Sequence, residues 1–123
     1  MFYSPGFFTS PLGYKLCARM NMSPNEEGQI SLLIHIMKSP HDVALSWPFS
    51  GRITLAVIHP HVPQLSVKET MMSRPELDAF KRPSYEFNTR AFGYTEFISV
   101  QDILSKAFLQ NDSLLVKVSV QCV

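Results

Sequence analysis

The chain has 123 residues, 46% hydrophobic and 17% charged, a length and balance that fit one globular domain and exclude a disordered segment. Its net charge of +1 leaves no electrostatic footprint for nucleic acid and no polybasic membrane patch. Cys17 and Cys122 sit far apart and outside any Cys-x-x-Cys pair, which argues against a disulfide framework or thiolate zinc site and for a reduced, cytoplasmic compartment.

Residues 1–8 lack the charged region and apolar run of a signal peptide. No apolar stretch approaches the ~18 residues that span a bilayer, so no membrane insertion is expected. Turn clusters at Ser4-Pro5-Gly6 and Ser10-Pro11-Leu12-Gly13 punctuate an aromatic start. Residues 14–20 then alternate. Leu16, Ala18 and Met20 fall on one face and Lys15, Cys17 and Arg19 on the other, which predicts a strand with Leu16 inward and Arg19 outward. After a polar loop, residues 29–38 predict a second strand. Its inner face is Ile30, Leu32, Ile34 and Ile36; its other face, with Ser31, Leu33 and His35, is expected to be partly wet, and His35 reads as a surface residue.

Residues 52–58 predict a third strand with Ile53, Leu55 and Val57 inward. His59-Pro60-His61-Val62-Pro63 ends it, because proline cannot donate to a ladder. The two imidazoles there read as a solvated loop, since zinc wants at least a third ligand. Residues 66–72 read as a short edge strand, and residues 77–83 as compact and irregular.

In Arg90-Ala91-Phe92-Gly93-Tyr94-Thr95-Glu96-Phe97, Phe92 and Tyr94 are two apart and leave an extended chain on one face. Gly93 between them would let another backbone approach closely. Two readings stay open: aromatics packed in a half-buried strand, or a platform beside an edge for an extended peptide. Phe97 is expected on the opposite face, in the core. Ser99 with Asp102 three residues later predicts an N-cap and one or two helical turns over residues 100–106. A turn at Asn111-Asp112-Ser113 precedes the last predicted strand, residues 114–120, with Leu114, Val116, Val118 and Val120 inward.

Short alternating strands, turns between them and one minor helix describe an all-β fold, an antiparallel β-sandwich in a single domain. No nucleophile elbow, phosphate-cradling loop or His-Glu-x-x-His is present. The acidic pairs Glu26-Glu27 and Glu76-x-Asp78 have no predicted cleft. The expectation is a non-enzyme with no catalytic residues, no metal and no cofactor.

Ser4-Pro5-Gly6-Phe7 followed by Gly13-Tyr14-Lys15-Leu16-Cys17-Ala18-Arg19 resembles a MATH domain, specifically the C-terminal TRAF domain of TNF-receptor-associated factors. Trp47-Pro48-Phe49, the run from Pro75 to Pro83, Phe92-Gly93-Tyr94 and Asp112-x-Leu114-Leu115-Val116 extend the resemblance over nearly the whole chain. Among subfamilies it is similar to the sixth type. The resemblance implies an eight-stranded sandwich that recognises short receptor or adaptor tails, added as a strand at its edge, with a motif like Pro-x-Glu-x-x-(aromatic or acidic).

By that resemblance Phe92 and Tyr94, with Met71 beside them, would hold the peptide's proline. Arg90 would lie near the peptide glutamate, and the backbone amides around Leu77, Asp78 and Ala79 would meet it. Arg19 would contact the final aromatic or acidic residue, and Ala91 and Gly93 would belong to the strand that pairs with the peptide. Asp78 stands where the sixth type resembles an apolar residue, so a carboxylate would face the incoming glutamate, offset by Arg90. A second implied role is substrate recognition for a ubiquitin ligase or ubiquitin protease. The family's first strand lies upstream of Ser4-Pro5-Gly6, so the resemblance implies an N-terminally truncated domain over residues 1–123 with seven of eight strands. One edge of the last strand would then be unpaired, inviting self-association.

Overall fold

The alternating segments all become strands in the computed structural model, which describes residues 1–122. The strands are β1 (Phe2–Tyr3), β2 (Phe7–Phe8), β3 (Lys15–Met22), β4 (Gln29–Met37), β5 (Gly51–Ile58), β6 (Val67–Met72), β7 (Phe92–Ser99) and β8 (Leu115–Cys122). Among the described residues the single α-helix is α1 (Val100–Ser105). One sheet runs β1-β3-β4-β7, with β2 also on β3; the other runs β6-β5-β8, and all pairs are antiparallel. β1 and β2 lie in the segment read as turn-rich. Both pair with β3, and Ser4-Pro5-Gly6 interrupts them; counted as one broken strand, they bring the total to the expected seven.

Inward residues of the two sheets meet as a dry core. Leu16, Leu32, Ile34 and Ile36 come from one sheet and Ile53, Leu55 and Val57 from the other, with Phe49, Phe80 and Phe108 filling the ends. Each such side chain contributes roughly 1.5–3 kcal/mol by leaving water. Ser99 caps α1 as its spacing predicts, its Oγ accepting from the Asp102 N–H at 3.0 Å. Asn111 and Asp112 adopt positive φ in the turn before β8, which both residue types tolerate.

Two histidine expectations fail. His35 is only 1% exposed, because the outer face of the first sheet is covered: β1 and the segment around Phe87 and Asn88 close over it. Ser31, Leu33 and Cys17 on that face are buried too, so it is not wet. His59 is also buried rather than solvated. Its Nε2 lies 2.6 Å from the Lys106 carbonyl, and its Nδ1 accepts the N–H groups of His61 and Val62 at 3.1 and 2.9 Å. The proline-rich turn folds back on its own imidazole, and this buries a residue that a linear reading leaves in solvent.

Candidate functional site

The residues expected around an added strand gather where β6 and β7 end their sheets side by side. Among the described residues β7 pairs with β4 alone, Phe92 opposite Ile34, Gly93 opposite Leu33 and Tyr94 opposite Leu32. Beyond Tyr94 the register shifts. Residues 95–97 of β7 face Ser31 alone, whose Oγ donates to the Thr95 carbonyl at 2.7 Å. Such a bulge re-aims side chains, and here it turns Phe97 back toward Tyr94, with ring centroids 5.8 Å apart. The expectation that Phe97 takes the opposite face is therefore wrong, although Phe97 is in the core.

Phe92 and Tyr94 do share a face. Both are half-buried and pack on the core cluster that includes Met71 of β6. Phe92 meets Phe80 edge-on at 5.0 Å, and Phe80 stacks on Phe49 at 6.1 Å. Tyr94 reaches β6 through a long 3.4 Å hydrogen bond from its hydroxyl to the Thr70 carbonyl. Its phenol is held above the usual range, first by burial and then by the Glu69 carboxylate. The aromatics thus serve both readings, packing on one side and exposing an edge on the other.

Gly93 behaves differently from its reading. The close backbone approach it permits is already taken: a Cβ there would stand 2.7 Å from the Leu33 Cα of β4. Glycine is needed for pairing within the sheet, not for an outside strand.

Leu77, Asp78 and Ala79 lead into a short 3-10 turn, Asp78–Phe80. Buried Phe80 pins it to Phe92, and the Asn88 side-chain amide donates to the carbonyls of Ala79 and Lys81 at 3.1 and 2.7 Å. Among the described residues, the Asp78 and Ala79 N–H groups have no protein acceptor. The Asp78 carboxylate is exposed and pairs with Lys81 at 3.0 Å. That hydrogen bond and charge, and then Arg90, hold its pKa below the usual carboxylate range. Lys81 is the nearer counter-ion. Arg90 is exposed and Ala91 half-buried, just before β7.

Arg19 stands apart from this cluster. It lies on β3 opposite Leu33, which is opposite Gly93, so it is two strands from the free edge, roughly 10 Å at ordinary strand spacing. It is on the outer face as expected, with Nη1 3.3 Å from His35 Nε2. His35 in turn lies under the rings of Tyr3 and Phe87, at 5.7 and 5.0 Å. Period-two alternation puts Arg19 and His35 on one face, but only the β3–β4 register makes them diagonal neighbours.

A further concavity lies on the opposite side of the sandwich. It is an apolar groove of about 760 Å³ between β8 and the β1–β2–β3 border, lined by Phe2, Phe7, Met20, Leu114, Val116 and Val118 among others.

Residues 1–117 match the family model described as TRAF/meprin, MATH domain. The chain is 38% identical over 122 residues to TNF receptor-associated factor 6 of Danio rerio, covering 96% of this chain and 22% of that protein. It is 36% identical over 124 residues to TNF receptor-associated factor 6 of Homo sapiens, covering 96% and 24%. The chain thus spans about a quarter of the length of these curated relatives. Among solved structures, Notothenia coriiceps TRAF5 superposes with a TM-score of 0.91 at 26% identity, over 99% of this chain and 62% of that one.

Proposed function

Because this chain belongs to the TRAF/meprin MATH-domain family, we propose that it is a non-enzymatic signalling adaptor module that binds short receptor or adaptor tails as an added strand along β7. The observation that carries the reading is the free β7 edge with two half-exposed aromatics resting on a rigid aromatic floor. Proline suits such rings, and the extended backbone it favours loses less entropy on docking. The unpartnered amides of Asp78 and Ala79 suit a peptide carboxylate, with Arg90 and Lys81 supplying positive charge against Asp78. Arg19 suits a final aromatic or acidic residue, through a cation–π contact or a charge-assisted bond. We propose residues 1–123 as one module acting in the cytoplasm; among the described residues no helix is long and apolar enough to cross a membrane.

Such an interface is small, and a monomer should bind with micromolar affinity, ~8 kcal/mol. The test is a calorimetric titration with a Pro-x-Glu-x-x-Tyr peptide. Binding that weakens at least several-fold in Phe92→Ala supports the reading. A chain that ignores this peptide and takes a Ser/Thr-rich one would instead support substrate recognition in the ubiquitin pathway.

The second free edge supports a second proposal, self-association through β8. Val116, Val118 and Val120 point inward yet stay half-exposed, whereas Ile53, Leu55 and Val57 on the adjacent strand are fully buried. An apolar, uncovered edge favours pairing with another strand. A monomer that persists at high concentration in size-exclusion chromatography would remove this proposal.

A further inference from the structure

The tautomer of His35 follows from its two partners. Nδ1 lies 2.7 Å from the Asn88 carbonyl, which can only accept, so Nδ1 carries the proton. Nε2 is then a lone-pair acceptor, and the guanidinium of Arg19, a donor only, meets it at 3.3 Å. Arg19 forms no ion pair among the described residues, and its Nε is buried without an acceptor. The bond to His35 is thus the polar tether that gives this long side chain a direction.

We propose that His35 is a positioning residue: its neutral Nε2 orients Arg19 toward the last side chain of the bound peptide, and its protonation releases Arg19. This rests on the peptide-binding reading given above. The groups packed around the imidazole are Arg19 and Cys17 of β3, Tyr3 of β1, and Phe87 with the Asn88 carbonyl from the segment before β7. Among the described residues, no carboxylate is bonded to the ring to favour an imidazolium. Burial holds its pKa below the ordinary 6.5; the Asn88 bond opposes this, and the Arg19 charge adds to it. At neutral pH the acceptor is therefore in place. As pH falls through that lowered value, Nε2 becomes a donor facing another donor, and the tether turns repulsive.

The experiment compares Pro-x-Glu-x-x-Tyr with the same peptide ending in alanine, since tyrosine does not titrate in the range used. His35→Phe keeps an aromatic ring and removes the acceptor. The expected result is a fall of about fivefold in the tyrosine-over-alanine preference, the size of one net hydrogen bond, with alanine-peptide affinity unchanged. In the wild type the preference should shrink as pH is lowered from 7.5 through the depressed imidazole pKa; in His35→Phe it should be flat. A preference that does not move with pH in the wild type overturns the proposal, whether or not the variant folds. If neither peptide binds, the peptide reading itself fails, and the link is then read directly by NMR. An Arg19 Nε–H resonance that tracks the His35 titration supports the tether, and one that stays still overturns it.

Discussion

β7 and β8 both end a sheet, yet their free edges are built in opposite ways. β7 is broken by a bulge over residues 95–97, has charged Arg90, Asp78 and Lys81 close by, and backs its aromatics with Phe80 and Phe97. β8 runs in unbroken register from Leu115 opposite Ile58 to Cys122 opposite Gly51, with Lys117 as its one charge. Bulges and charges are how edge strands avoid indiscriminate pairing. The comparison teaches that an edge becomes selective when side chains, not the ladder alone, decide what joins it. β7 has that equipment, and β8 has a backbone and three half-covered valines.

The sharpest way to break this contrast is to remove the floor under β7. Phe80→Ala should cost about 3–5 kcal/mol of stability, measured by urea unfolding, because Phe80 is fully buried and supports Phe92. A loss under ~1 kcal/mol would mean that the β7 aromatics do not depend on the core beneath them. Gly93→Val should cost roughly 1–3 kcal/mol and weaken peptide binding, since its Cβ would collide with the β4 backbone and shift the edge. Self-association through β8 should be unaffected, and a variant that alters both edges equally would erase the distinction.

Ser119→Lys sharpens the comparison from the other side. It adds a second exposed charge beside Lys117 and should weaken self-association several-fold by light scattering, leaving peptide affinity intact. The smallest effect is on pH dependence. His35 has a folded pKa below its ordinary 6.5, so the unfolded chain binds the proton more readily. Stability is then steady above about pH 6.5 and falls as pH drops through the folded value. Melting curves between pH 7.5 and 5.5 should show this slope, and His35→Phe should flatten it.

Much of the fold was legible because burial on one side of a sheet imposes a period of two. Leu16, the isoleucines of β4, and Ile53, Leu55 and Val57 all point where alternation puts them. The candidate site was legible only in part. Phe92 and Tyr94 share a face because they are two apart, but Phe97 depends on a bulge that spacing does not reveal. Lys81 escaped notice as the partner of Asp78, because an i,i+3 pair forms only once the Asp78–Phe80 turn exists.

The sandwich, its capped helix and the aromatic pair are already written in the amino-acid order, because each is a local pattern that neighbouring residues enforce. Which faces are covered depends instead on packing between segments distant in the chain. His35 and His59 are polar residues in alternating or proline-rich settings, and nothing nearby in sequence requires their burial. His35 is buried by Tyr3, Phe87 and Asn88, and His59 by Phe108 and the Lys106 carbonyl, partners 32 to 53 residues away in all five cases and beyond the reach of any local periodicity.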